Sequence, residues 1–168
     1  MIRALRPLLA VLPLLLLGCG GDPSPEPTPA PAPASEPDTP APADAFGYYL
    51  LDAEKPQPDW AAKIDHLHLS TIEMKGEEIV TVPLWGFIRP KAGDDYQLTE
   101  VRQEGSRLTF STQEVGGVSF DFDGRFLASG NFPETPPQGV ALAGLLRQRQ
   151  GGRVLEEMNA EFLYTPGD

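Results

Sequence analysis

Residues 139–164 read GVALAGLLRQRQGGRVLEEMNAEFLY, and the fold class depends on how this stretch pairs. A helix would place Leu155, Met158, Phe162 and Leu163 on one apolar stripe. A hairpin about Gly151-Gly152 with a three-residue loop would instead bury one coherent face. In that register Val140, Leu142, Gly144 and Leu146 lie opposite Tyr164, Phe162, Ala160 and Met158, and Arg147 lies opposite Glu157. We favour the hairpin, because the preceding hundred or so residues are also strand-rich.

Short runs rich in β-branched and aromatic residues precede this stretch and are separated by Gly, Pro, Asp and Asn. They predict strands near residues 46–51, 64–72, 78–83, 85–89, 96–104, 107–112, 118–122 and 125–129. Asp123-Gly124 predicts a tight turn between the last two, and Asp59 is the expected cap of a short helical turn. We therefore expect one all-β domain at residues 46–168, a small antiparallel barrel or sandwich of about 8–10 short strands.

The two halves of the final hairpin, Gly139–Leu146 and Glu157–Tyr164, resemble the closing hairpin of small calycin-like bacterial lipoproteins. The resemblance implies a barrel. The Gly-x-Trp signature of that group is not present, and the nearest text is Phe46-Gly47-Tyr48. No binding residue is therefore carried over from the group.

The amino terminus is typical of a secretory signal. Arg3 and Arg6 precede an apolar run from Leu8 to Leu17, which is interrupted by Pro13. As a helix this run would span roughly 15 Å, about half of a ~30 Å hydrocarbon core. We interpret residues 1–18 as a signal peptide and not as a transmembrane helix.

The end of that run, Leu16-Leu17-Gly18-Cys19, resembles the lipobox of bacterial lipoproteins. The resemblance implies cleavage between Gly18 and Cys19 and attachment of palmitate-type acyl chains at Cys19, which would anchor the protein stably to a membrane. Gly20, rather than Asp, follows the cysteine, and resemblance to the sorting of enterobacterial lipoproteins then implies the outer rather than the inner membrane. The domain would then face the periplasm or the exterior. Cys19 is the only cysteine, so an intramolecular disulfide is excluded.

Residues 19–45 form a Pro/Ala-rich linker without Val, Ile, Leu or basic residues. Such a segment cannot bury enough apolar surface to offset its ordering entropy, so we expect disorder with polyproline II character. The linker is interpreted as a tether that holds the domain away from the membrane. The alternative is a proline-rich ligand for an aromatic groove.

Four groups of residues are candidates for a functional site, and each also has a structural interpretation. His66 and His68 lie on the face of their strand opposite Leu67 and Leu69, and they are candidate metal ligands or a solvated strand face. Asp121-Phe122-Asp123-Gly124 is similar to the start of a calcium loop, but Arg125 and Phe126 supply no ligands, which favours turn chemistry. The acidic pairs Glu77-Glu78, Asp94-Asp95 and Glu156-Glu157 are adjacent and would point to opposite strand faces. The aromatics Trp60, Trp85, Phe87 and Tyr96 fit a core better than a ligand pocket.

The net charge of −11, without a Lys/Arg cluster, argues against a nucleic-acid partner. The chain has no Gly-x-Ser-x-Gly, Walker or Gly-x-Gly-x-x-Gly motif, and we expect no cofactor and no catalytic residue. The sequence thus predicts a membrane-anchored envelope lipoprotein with a non-enzymatic β domain. Its expected partners are the membrane, through the anchor, and an envelope protein or a small apolar ligand. The alternative is an envelope hydrolase that uses loop carboxylates.

Overall fold

The computed structural model describes residues 41–167, and almost all of their regular structure is strand. The strands are β1 (Pro42–Asp44), β2 (Gly47–Leu51), β3 (Ile64–Lys75), β4 (Glu78–Pro90), β5 (Tyr96–Glu104), β6 (Arg107–Thr112), β7 (Val118–Phe126), β8 (Gly130–Asn131), β9 (Val140–Gln150) and β10 (Arg153–Thr165). A 3-10 helix, Ala61–Lys63, lies between β2 and β3.

Eight of these strands form a closed antiparallel barrel, in the order β10-β2-β3-β4-β5-β6-β7-β9. The predicted all-β class is confirmed, and of the two architectures left open the barrel is the one formed. The remaining two strands, β1 and β8, make a separate parallel pair. Pairing between β4 and β5 is brief, because only Phe87 and Ile88 of β4 have partners in β5.

Aromatic side chains fill the barrel interior. The buried rings include Tyr49, Phe110, Phe120, Phe122, Phe126 and Phe162. Phe110 stacks on Phe122 with ring centroids 5.3 Å apart, and Phe122 meets Phe162 edge-on at 5.9 Å. Leu67, Leu69 and Ile88 complete the interior on the β3–β4 side.

Loops with aromatic residues close both ends of the barrel. At one end, Trp60, which immediately precedes the 3-10 helix, stacks on Phe120 of β7. At the other end, the buried Phe132 packs against Phe126 and Tyr164. The backbone N–H of Phe132 donates to the carbonyl of Asp44, which ties this end to β1.

The carboxy-terminal hairpin is confirmed, with a different turn from the one predicted. Gly151 and Gly152 both have positive φ, 54° and 79°, which suits a two-residue hairpin turn. A register shift between Val154 and Glu156 then restores the predicted pairing, including Leu146 with Met158 and Arg147 with Glu157. A second shift near Phe162 places Val140 opposite Leu163 instead of Tyr164.

Three local predictions are wrong. Asp123-Gly124 is no turn, because β7 continues through it and Gly124 lies opposite Gly144 of β9 with the Phe122 ring over both glycines. The predicted strands 78–83 and 85–89 are one strand, since β4 passes Pro83 at a register shift where a proline does not break the pairing. Asp59 caps nothing: the 3-10 helix has Trp60 at its N-cap and no side-chain cap hydrogen bond.

The last part of the predicted linker belongs to the folded structure. Pro42 and Ala45 are buried, and β1 pairs with β8. These residues are held by local polar contacts, such as the 2.8 Å hydrogen bond from the Phe46 N–H to Oδ1 of Asp44. The predicted signal peptide, Gly18, Cys19 and linker residues up to 40 lie outside the described residues.

Candidate functional site

An aromatic row crosses the outer wall of the barrel on β2, β3 and β4. The register places Tyr48 opposite His68, and His68 opposite Phe87. Their strand neighbours Tyr49, Leu67, Leu69 and Ile88 are buried in the core, so alternation directs the row to the outside. We call this the outer aromatic face; it also includes Phe46, His66, Trp85 and Arg89.

His68 lies at the centre of this face. Its ring centroid is 4.6 Å from that of Tyr48 and 4.9 Å from that of Phe87, on which it stacks. Trp85 and Phe46 meet it edge-on at 5.6 and 5.8 Å. Although the row faces outward, these rings leave His68 only 6% exposed.

The environment of His68 favours its neutral form. Burial lowers the pKa of the imidazole, and the nearby charges of His66 and Arg89 lower it further. Nδ1 of His68 is buried and has no hydrogen-bond partner. A buried polar atom without a partner is unusual in a folded protein and calls for an explanation.

A groove opens to solvent beside His68. It has a volume of about 470 Å³ and is lined by Phe46, Tyr48, His68, Ser70, Ile72, Glu73, Met74 and Trp85. One wall is fixed by a hydrogen-bonded cluster, in which Nε1 of Trp85 and Oγ of Ser70 both donate to the Ile72 carbonyl. The Trp85 indole is therefore held in place by the main chain at the β3–β4 register shift.

The hairpin of β3 and β4 extends the groove beyond the barrel wall. β2 pairs with β3 only as far as Leu69, so residues 72–81 pair with each other alone. Met74 and Ile79 lie opposite each other near the tip and are 65% and 63% exposed. The two exposed side chains form a small apolar surface at the tip of the hairpin.

At the other end of the outer aromatic face, Arg89 makes a cation–π contact with Phe87. Its guanidinium carbon lies 4.8 Å from the centroid of Phe87. The same guanidinium donates two hydrogen bonds to the Asp95 carboxylate, at 2.6 and 2.9 Å. This hydrogen-bonded pairing lowers the pKa of Asp95.

The structure places the candidate metal ligands His66 and His68 together on the outer aromatic face, and no residue of the range 41–167 joins them as a third ligand. Nδ1 of His66 lies 2.9 Å from Oδ2 of Asp65. Within residues 41–167, no group of three or more His, Cys, Asp or Glu side chains is placed to hold a metal ion. Neither the metal site nor the solvated-face interpretation describes His68, which is buried among rings.

Three of the carboxylates considered as candidates, Asp121, Asp123 and Glu157, lie in separate arginine pairs and do not form one site. Asp121 pairs with Arg149, and Asp123 makes two hydrogen bonds with Arg107, so this segment is neither a calcium loop nor a turn. Glu157 accepts a hydrogen bond from Arg147 across β9 and β10. Each of these carboxylates is therefore engaged by an arginine.

The aromatic candidates divide between the two sides of the wall. Trp60 is buried and Tyr96 packs against the core, as predicted. Trp85 and Phe87 lie outside, so the prediction of a core role was wrong for them. The groove is not predicted from the sequence. The only signal for it is that His68 lies on the strand face opposite Leu67 and Leu69, so that its cross-strand neighbours also face outward.

Comparison of the chain with protein-family models, curated proteins and solved structures gave no match. In residues 41–167, no helix has the length and apolar character needed to cross a membrane.

Proposed function

We propose that this chain is a lipid-anchored protein of the bacterial cell envelope whose β-barrel is a non-enzymatic interaction module. The proposed anchor is Cys19, on the basis of the lipobox resemblance at Leu16–Cys19. The Pro-rich residues that follow would act as a tether between the membrane and the barrel. The proposed outer-membrane location is supported by Gly20 after the cysteine, through the resemblance to enterobacterial lipoprotein sorting.

The observation that carries the proposed role is the distribution of aromatic side chains. A cluster of buried aromatic and aliphatic side chains occupies the barrel interior, which supports a structural role for these residues. The solvent-facing groove beside His68, in contrast, combines aromatic walls with exposed apolar side chains on the β3–β4 hairpin. Binding at the outer wall is therefore preferred over binding of an apolar ligand inside the barrel.

The hydrolase alternative has less support. A carboxylate-based site needs two convergent acids held in unlike environments. Asp95, Asp121, Asp123 and Glu157 are instead each paired with an arginine across neighbouring strands or loops. These contacts give the acids a structural role.

The proposed location is tested with Cys19→Ala. We expect the wild-type protein to fractionate with membranes and its intact mass to include acyl chains. The variant is expected to leave the membrane fraction, because no other residue is proposed to carry lipid. Membrane association that is unchanged in the variant would contradict the proposal.

The proposed role is tested by site-specific photocrosslinking in the cells that produce the protein. The probe p-benzoylphenylalanine replaces Met74 at the groove, or Leu127 as the matched exposed control beside β7. We expect a discrete adduct from position 74 that is lost when Trp85→Ala removes a groove wall. Equal adducts from both positions, or none from position 74, would refute a role for the groove.

A further inference from the structure

We propose that the groove beside His68 binds an organic cation, and that its occupant is the guanidinium of an arginine side chain on a partner protein. This inference rests on the proposed use of the groove as an interaction surface. It adds the chemistry that the surface selects.

The walls of the groove supply the first part of this chemistry. Phe46, Tyr48 and Trp85 surround the central ring of His68, with centroids 4.6 to 5.8 Å from it. Faces of aromatic rings carry partial negative charge and attract ammonium and guanidinium groups. A planar guanidinium in particular stacks on such faces while its N–H groups stay free to donate.

The charge of the groove is the second part. Glu73 lines it and makes no ion pair with another residue in the described range. Within Glu73–Glu78 at the hairpin tip there are three acidic residues and one base, Lys75. Residues 46–168 as a whole contain 19 acidic and 11 basic side chains. The acidic residues of the hairpin tip and the net negative charge of the domain favour a cation in the groove, and the positive charge of Arg89, which acts on His68, is paired with Asp95.

The floor of the groove is the third part. Burial keeps the imidazole of His68 neutral, so that it adds a ring without a competing positive charge. His68 therefore offers the groove an uncharged aromatic ring.

The protein contains an internal example of the same recognition at the other end of the outer aromatic face. Arg89 lies over the ring of Phe87 and is held by the Asp95 carboxylate. The groove is likewise lined by an aromatic ring, Trp85, and by a carboxylate, Glu73, and no arginine of residues 41–167 lines it. The geometry points to a side chain from another protein at this position.

The test uses the full-length protein in detergent with ¹⁵N-labelled tryptophan, and the probe is N-acetyl-arginine methylamide. The protein has two tryptophans, Trp85 at the groove and Trp60 in the core. We expect a saturable shift of the Trp85 indole N–H resonance and none of Trp60, which also reports that the barrel remains folded. The matched probe, N-acetyl-citrulline methylamide, has the same shape without the charge and is expected to bind at least about threefold more weakly.

Two variants refine the test. Glu73→Gln is expected to weaken arginine binding about two- to fivefold, because it removes the carboxylate but not the side-chain volume. Glu134→Gln alters an exposed acid outside the groove and is expected to leave binding unchanged. Equal binding of the citrulline probe, or an unchanged affinity of Glu73→Gln, would overturn the inference.

The outcomes separate this inference from the proposed function. If the arginine probe fails while the crosslink from position 74 forms, the groove is an interaction surface for other chemistry, and only the cation inference is refuted. If the probe binds but no crosslink forms in cells, the cation inference stands for the isolated protein and the partner is refuted.

Discussion

Tyr49→Phe is expected to lower the free energy of unfolding, because it removes a hydrogen bond that holds Ala45, just before β2, against the barrel. The Tyr49 hydroxyl donates to the carbonyl of Ala45 at 2.6 Å, inside the core. Tyr49 has no exposed surface, and its burial raises the pKa of the phenol, so the group is a permanent hydrogen-bond donor. The substitution removes one oxygen and leaves the ring packing against Phe126 and Tyr164 in place.

The expected loss of unfolding free energy follows from the Ala45 carbonyl, which stays buried without its donor. A buried carbonyl that loses its donor costs about 1–3 kcal/mol of unfolding free energy. The short distance and complete burial of Tyr49 place this substitution near 2 kcal/mol. The neighbouring bond, from the Tyr164 hydroxyl to the Phe46 carbonyl at 2.8 Å, is partly exposed. Water can replace that donor, and Tyr164→Phe should cost closer to 1 kcal/mol.

The assay is equilibrium unfolding in guanidinium chloride, followed by tryptophan fluorescence. Tyr48→Phe is the matched control, because within the described part of the chain the Tyr48 hydroxyl has no hydrogen bond. This control should change the unfolding free energy by less than about 0.5 kcal/mol. If Tyr49→Phe were as stable as the Tyr48→Phe control, the assigned role of the buried hydroxyl would be refuted.

Three further perturbations test the packing and electrostatics. The pKa of His68 lies below its ordinary value of 6.5, so the unfolded chain binds the proton first and stability should fall as the pH drops below about 6.5. His68→Phe should remove that part of the pH dependence, and an identical profile would contradict it. Gly144→Ala should cost about 1–3 kcal/mol in chemical denaturation, because a Cβ there collides with the Gly124 backbone and the Phe122 ring. Deletion of Pro42–Asp44 should lower the melting temperature by removing the pairing of β1, whereas deletion of residues 22–40 should leave it unchanged.

The candidate site illustrates a limit of pattern reasoning. Alternation in the segment Leu84–Ile88 separates Trp85 and Phe87 from Gly86 and Ile88, and hydrophobicity would assign the two large aromatics to the core. The structure buries Gly86 and Ile88 instead. In the packed wall a Cβ at residue 86 would collide with the His68 carbonyl, so only a glycine fits this inward position. That constraint arises from the neighbouring strand and has no local signal.

Asp123-Gly124 is a second case in which a strong local signal lost to tertiary packing. Asp-Gly favours a hairpin turn in isolation. In the barrel, Asp123 is held by Arg107 of β6 and Gly124 meets Gly144 of β9, so both sides of β7 stay paired. Hydrogen bonding of β7 to β6 on one side and to β9 on the other stabilises the extended backbone at Asp123-Gly124. This stabilisation outweighs the preference of Asp-Gly for a turn.

The sequence alone determined the all-β class and the approximate positions of most barrel strands, because their alternation is local. Period-two alternation predicted most of the strands, and the turn residues Gly151-Gly152 between complementary apolar segments favoured the last hairpin over a helix. Only the tertiary structure decided which face of each strand turned inward and that the sheet closed. It also placed Phe46 and Trp85, 39 positions apart in the chain, around one histidine. Alternation specifies two faces but not their direction, because direction is set by the volume that all eight strands must fill together.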